Sequence, residues 1–232
     1  MNAAVIVAGG SGSRMRSSVK KQYLDLGGRP VVAHTLMAFD ACSIIDRIIL
    51  VVPEDDVDYC RTDIVAPLTL AHDVHVLAGG PQRQASVSNG LAAMDASDGI
   101  VMIHDGVRPF VRLSLLNACL AGVRTTGACI PAIPASDTLK RVDENGVILK
   151  TLDRRQIMLA QTPQTFSIGL IRSAHQLAIE RGFIATDDAS IAEFAGKTVT
   201  VVPGDRMNIK ITTPEDLPVA RTILRRWVTS AK

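Results

Sequence analysis

Six short runs rich in Val, Ile and Ala, separated by amphipathic stretches, constrain the fold of this 232-residue chain more than any other feature. They lie at Ala3–Val7, Ile48–Val52, Val74–Leu77, Ile100–Ile103, Ala128–Ile133 and Thr198–Val202. Several are unbroken rather than alternating, as strands buried on both faces require. Val31–Phe39, Gln82–Met94, Leu113–Arg124 and Gly169–Glu180 carry helical periodicity between them. This βαβα order predicts an α/β fold: a mostly parallel twisted sheet flanked by helices. With no repeat or low-complexity linker, the reading is one domain over 1–232.

One segment breaks the rhythm. Residues 136–155 alternate polar and apolar positions about Glu144-Asn145-Gly146, and an Asn-Gly between such runs signals a β-hairpin. A charged two-stranded ribbon is marginal alone in water, so this arm is expected to lean on its own domain or on a second subunit. Downstream, Thr186-Asp187-Asp188 and Thr213-Pro214-Glu215-Asp216 read as helix starts.

Composition narrows the function by exclusion. The net charge of +2 is too small for bulk attraction to nucleic acid, and 3% aromatic residues offer few stacking platforms. No apolar run reaches membrane-span length, and Ala3–Val7 is too short for a signal-peptide core. Cys42, Cys60, Cys119 and Cys129 form no CxxC pair and read as reduced thiols. A cytoplasmic protein is the expectation.

The chemistry begins where the first strand ends. Ala8-Gly9-Gly10-Ser11-Gly12-Ser13-Arg14-Met15-Arg16 is followed by Lys20-Lys21, placing four cations within 14–21 and no acid before Asp25. Glycines let backbone N–H groups approach a ligand, and Arg and Lys neutralise phosphate charge. A dinucleotide fingerprint would need a third glycine at Met15, and the P-loop string is absent. Further along, Ile100–Ile103 runs into His104-Asp105-Gly106-Val107-Arg108, where Asp105 is placed for a ribose or a divalent cation. An ion pair between Asp105 and Arg108 is the structural alternative. Gly79-Gly80-Pro81-Gln82-Arg83-Gln84-Ala85-Ser86 opens a helix after a strand, with glycines able to admit a base and Ser86 able to bond it. No zincin histidine pair and no Gly-x-Ser-x-Gly elbow occurs.

These motifs together resemble the 2-C-methyl-D-erythritol 4-phosphate cytidylyltransferases of the non-mevalonate isoprenoid pathway. The resemblance rests on AGGSGSRM at 8–15, KKQYL at 20–24, AGGPQRQASV at 78–87, VMIHDGVRP at 101–109, LDRR at 152–155, LAQTPQTF at 159–166, TDDAS at 186–190 and NIKITTPEDL at 208–217. It implies a Rossmann-like nucleotidyltransferase fold with a protruding hairpin arm. It further implies that Ala8, Gly9, Gly10 and Gly12 hold the CTP triphosphate, with Arg14 and Lys21 as the catalytic cations. By the same resemblance, Gly79, Gly80 and Ser86 read cytosine, and Asp105 with Gly106 serves the ribose and metal region. Arg108, Thr138, Arg154, Thr186 and Lys210 would contact the sugar phosphate. Mg²⁺ or another divalent cation is the implied cofactor, held mainly by substrate phosphates and through Asp105. A homodimer joined by the arms is the implied assembly, with Thr138 and Arg154 serving the neighbour's site. The family often has proline where Lys20 stands, so Lys21 rather than Lys20 is assigned by register. A ribitol 5-phosphate cytidylyltransferase and a non-catalytic nucleotide-binding protein are the competing readings.

Overall fold

The structure is a computed structural model that describes residues 1–10, 19–95 and 98–229, excluding the side chains of 228 and 229. Its frame is one sheet. Strands β1 (Asn2–Val7), β2 (Arg47–Val52), β3 (Val74–Ala78) and β4 (Ile100–Asp105) pair in parallel in the order 3-2-1-4. Beyond β4 the sheet continues through β9 (Gln164–Ser167), then β5 (Ala128–Pro134), then β10 (Thr200–Pro203) at the edge. β9 is antiparallel to both neighbours, β10 is parallel to β5, and β8 (Met158–Ala160) adds an antiparallel pairing to β5.

Side chains alternate across the sheet as strand geometry demands. Ala4, Ile6 and Ala8 face one apolar cluster with Val32, Leu36 and Phe39 of α1 (Val31–Asp40) and Leu116, Cys119 and Leu120 of α4 (Leu113–Thr126). Ala3, Val5 and Val7 face the other, with Val87 and Leu91 of α3 (Arg83–Ala92) and Ile171, Ala174 and Ala178 of α5 (Ile168–Glu180). The short α2 (Val57–Tyr59) follows β2, and α6 (Asp188–Phe194) follows α5. The last helix, α7 (Asp216–Thr229), closes a third cluster of Leu26, Val31, Val107, Phe110, Ile211, Ala220 and Ile223. All four cysteines are free and buried. Among the described residues, no helix is long and apolar enough to cross a membrane.

The six sequence-read strands are all present, with bounds shifted by up to two residues. Two strands, β8 and β9, escaped the sequence reading. The segment Gln164–Ser167 looks polar, yet Gln164, Thr165 and Phe166 are buried at the sheet centre. Gln164 is satisfied by a distant element: its Oε1 accepts from the Asp188 and Ala189 amides at the start of α6, at 2.8 and 2.9 Å, and its Nε2 donates to Asp187 at 2.7 Å. Hydropathy cannot register such a strand.

The hairpin forms as β6 (Lys140–Val142) against β7 (Ile148–Thr151), a separate two-stranded sheet. Its turn is closed by the Asp143 amide donating to Val147 at 3.0 Å, with Gly146 at φ 81°, a left-handed conformation cheap only for glycine. The helix starts also shift. Asp187, not Thr186, caps α6 through a reciprocal capping box with Ser190. Asp216 accepts the Thr212 and Thr213 amides at 2.7 and 2.8 Å and opens α7 two residues beyond Pro214.

Candidate functional site

The strand order reverses at β1, whose chain continuation leads to β2 on one side while β4 lies on the other. Open α/β sheets leave a crevice for ligands at the carboxyl ends of strands at such a point. A cavity of about 390 Å³ lies there. Its lining includes Ala8, Gly9 and Gly10 after β1, Gly80 and Ser86 around the start of α3, Asp105 at the end of β4, Lys21 and Lys210. Two main-chain bonds tie the rim together: the Ala8 amide donates to Val51 at 2.7 Å and the Gly106 amide to Val7 at 2.9 Å.

Gly79 and Ser86 show why the second glycine loop needs its composition. A β-carbon on Gly79 would stand 2.6 Å from the Ser86 hydroxyl. That hydroxyl accepts from the Gly80 amide at 3.1 Å and lies 3.2 Å from the Gln82 carbonyl, to which it donates. Ser86 therefore fixes the loop in addition to lining the cavity.

Asp105 is the charge centre. Its Oδ1 lies 3.4 Å from Arg83 Nε; its Oδ2 lies 2.9 Å from Lys210 Nζ and 3.5 Å from Arg108 Nε. Burial alone would push its carboxyl up, but Arg83, Lys210 and Arg108 outweigh that and hold it well below the usual carboxylate range. Arg83 also pairs with the fully buried Asp188 at 2.8 Å, and Asp188 in turn faces His175 Nε2 at 3.3 Å. Burial again opposes ionisation of Asp188, and Arg83 and His175 reverse the outcome. Asp105 is thus an anion held among cations, and Lys210 and Arg83 keep their heads at the cavity wall.

His104, next to Asp105, is neutral. Burial lowers its pKa to about 4. Its Nε2 donates to the Arg108 carbonyl at 3.0 Å, leaving Nδ1 to accept from Thr162, whose Oγ1 accepts the Asp105 amide at 3.1 Å. This chain of bonds orients the end of β4 and offers no proton to the cavity.

The sequence-read residues that the structure describes separate into three groups. Ala8, Gly9, Gly10, Lys21, Gly80, Ser86, Asp105 and Lys210 meet at the cavity. Gly79 and Gly106 adjoin it, and Arg108 reaches Asp105 from behind, donating to the Asn208 carbonyl at 2.8 Å. Thr138, Arg154 and Thr186 are exposed and are not part of its lining; the Arg154 guanidinium donates to the Ser136 carbonyl within its own arm. Gly12 and Arg14 lie outside the described residues. The adjacent lysines are resolved: Lys20 pairs with Asp56 at 2.6 Å, while Lys21 lines the cavity over Gly10. Arg83 and Asp188 were missed, although both lie within quoted motifs, because an Arg–Asp pair about a hundred residues apart leaves no local pattern.

A divalent cation prefers oxygen ligands, and Asp105 is the sole acid lining the cavity among the described residues. No cluster of three metal-binding side chains occurs among the described residues. The donor set suits an ion carried mainly by phosphate oxygens and touched by one carboxylate.

A glycine-lined cavity with cations at the carboxyl rim of a parallel sheet defines an α/β protein built to bind a phosphorylated ligand. Residues 2–226 match the family described as IspD: 2-C-methyl-D-erythritol 4-phosphate cytidylyltransferase. The chain is 46% identical over 224 residues to the protein of that name from Geotalea uraniireducens, covering 96% of each chain. It is 47% identical to that from Syntrophus aciditrophicus, covering 96% of this chain and 95% of the relative. Among solved structures, the 4-diphosphocytidyl-2C-methyl-D-erythritol synthase of Anaerococcus prevotii superposes with a TM-score of 0.84 at 34% identity, covering 97% of this chain and 98% of its own. The Francisella tularensis cytidylyltransferase gives 0.81 at 31%, covering 96% and 99%. The chain belongs to the 2-C-methyl-D-erythritol 4-phosphate cytidylyltransferase family.

Proposed function

We propose that this chain transfers the cytidylyl group of CTP to 2-C-methyl-D-erythritol 4-phosphate, releasing pyrophosphate. The observation that carries this reading is the meeting of Gly9, Gly10, Lys21, Gly80, Ser86, Asp105 and Lys210, from segments far apart in sequence, around one cavity. In the reaction, an oxygen of the sugar phosphate attacks the α-phosphorus of CTP in line with the departing pyrophosphate. A phosphate monoester is already an anion at neutral pH, so the step needs positioning and charge stabilisation rather than a general base. The neutral, engaged His104 agrees with that.

In this reading Gly9 and Gly10 present amides to the triphosphate, and Lys21 with Arg14 stabilises charge on the α-phosphate and leaving group. Gly79, Gly80 and Ser86 accommodate cytosine; Asp105 and Gly106 face the ribose. Lys210, with Arg108 behind it and Thr186 nearby in sequence to Asp188, serves the sugar phosphate. Mg²⁺, held by phosphate oxygens and Asp105, would supply further neutralisation between two polyanions.

The arm is the proposed dimer contact. Val142, Val147, Ile148 and Leu149 are all about half exposed on it, and Met158 and Leu159 are exposed near its base. Apolar side chains on a small ribbon favour burial against a partner, which would carry Thr138 and Arg154 to the neighbour's site. The test is pyrophosphate release by purified protein with CTP, Mg²⁺ and methylerythritol phosphate, with ribitol 5-phosphate in parallel. Faster turnover with ribitol phosphate would reassign the substrate, and no release with either would leave a nucleotide-binding protein without catalysis.

A further inference from the structure

Two adjacent lysines take different directions: Lys20 pairs with Asp56, while Lys21 lines the cavity. Lys21–Tyr23 form a single 3₁₀ turn, closed by the Tyr23 amide donating to the Lys20 carbonyl at 2.9 Å. Side chains three residues apart eclipse in such a turn, and successive ones point roughly 120° apart. Lys20, the extended residue that caps the turn, and Tyr23, its last residue, both reach one carboxylate. The two Asp56 oxygens accept Lys20 Nζ at 2.8 and 2.6 Å, and Oδ2 also accepts the Tyr23 hydroxyl at 2.9 Å. The Cys60 sulfur lies 3.3 Å from the same hydroxyl. Asp56 stands in the turn Glu54–Asp56 just beyond the carboxyl end of β2, the strand that neighbours β1.

We propose that Asp56 is a positioning residue for the transfer reaction: by clasping Lys20 and Tyr23 it sets the phase of the turn that aims Lys21 into the cavity. A slip of one residue would bring Lys20 to the cavity and Lys21 to Asp56. It would also put Leu24, which has no hydroxyl, in place of Tyr23. The clasp therefore selects one lysine over its neighbour. Lys20 adopts φ −61° and ψ 139°, values open to proline, and its amide donates no hydrogen bond among the described residues. A proline there would restrain the same backbone without a side-chain partner.

This inference rests on the proposed function for its kinetic readout. Steady-state kinetics with CTP and methylerythritol phosphate should show kcat/KM reduced about tenfold in Asp56→Ala, as a small misplacement of a catalytic group can do. The thermal midpoint should move little, Asp56→Glu should recover part of the activity, and Lys20→Pro added to Asp56→Ala should recover most of it. Unchanged kcat/KM in Asp56→Ala would overturn the proposal. So would a loss that tracks thermal destabilisation and that Lys20→Pro does not repair. Calorimetry with inorganic tripolyphosphate separates the two readings. If wild type shows no turnover but Asp56→Ala weakens tripolyphosphate binding, the assigned reaction fails and the clasp stands. If turnover is normal and Asp56→Ala alters neither measurement, the clasp fails alone.

Discussion

The cavity rim and the hairpin arm carry charge in opposite ways. At the rim, Asp105 and Asp188 are buried and each is held by cations from other elements, so the chain itself fixes the positions of Arg83 and Lys210. On the arm, among the described residues, Asp153 and Arg155 pair only with each other and Arg154 reaches only its own ribbon, all in solvent. The contrast separates preorganisation from availability. Charges locked in a low-dielectric setting can stabilise a transition state without reorganising, whereas exposed pairs contribute little and leave a side chain free to meet a partner.

The largest test of this contrast is Asp188→Ala. It leaves Arg83 facing one carboxylate rather than two, and removing one partner of a buried pair costs about 3–5 kcal/mol; urea unfolding should show a loss on that scale. The Asp188 carboxyl is held below its ordinary range in the fold. Its contribution is therefore fully present above the unfolded carboxylate pKa and is lost as pH falls through the depressed folded value. Unfolding curves of Asp188→Asn should accordingly be flatter across that acid window than those of wild type. A rim that tolerates both variants would not be preorganised.

Next in size, Lys21→Ala should lower kcat by about a hundredfold, the scale of removing one preorganised donor, and Arg14→Ala should do likewise. Single-turnover kinetics with saturating CTP would check both. Arg154→Ala should raise KM for the sugar phosphate by about tenfold, the weight of a charged hydrogen bond, while leaving CTP affinity intact. Equal weakening of both substrates would move Arg154 away from the sugar phosphate. Mixed Lys21→Ala and Arg154→Ala subunits should regain activity above either parent if the arm serves the neighbour's site. The smallest effect on folding belongs to Ile148→Asp on the arm. Protomer stability should change by no more than about 0.5 kcal/mol, as for exposed sites, while sedimentation should shift from the proposed dimer to monomer. A species unaltered by that change would remove the arm from assembly.

The glycine loops and their cations were legible in the sequence because a strand running straight into such a loop fixes its place at the carboxyl rim. Gly9, Gly10, Gly80, Ser86 and Asp105 reached the cavity on that logic, while Lys210, assigned by resemblance alone, also lines it. The helix caps were readable to within one or two residues, since capping is local. Arg83 was not recognised, although its motif was quoted, because its meaning lies in Asp188, which approaches it only after α6 packs near α3.

The sequence by itself determined the parallel frame, the buried apolar runs and the glycine loops at the carboxyl rim, since each follows from spacing along a short stretch of chain. Only the tertiary structure decided that Gln164 belongs to a central strand, that Lys20 turns to Asp56 while Lys21 faces the cavity, and that Asp105 is ringed by three cations. Apart from the Asp105–Arg108 pair, which lies within one loop and was open to sequence reading, these are pairings between groups far apart in sequence. Their energy comes from the attraction between partners, strengthened where the fold lowers the local dielectric, and no local pattern encodes that meeting.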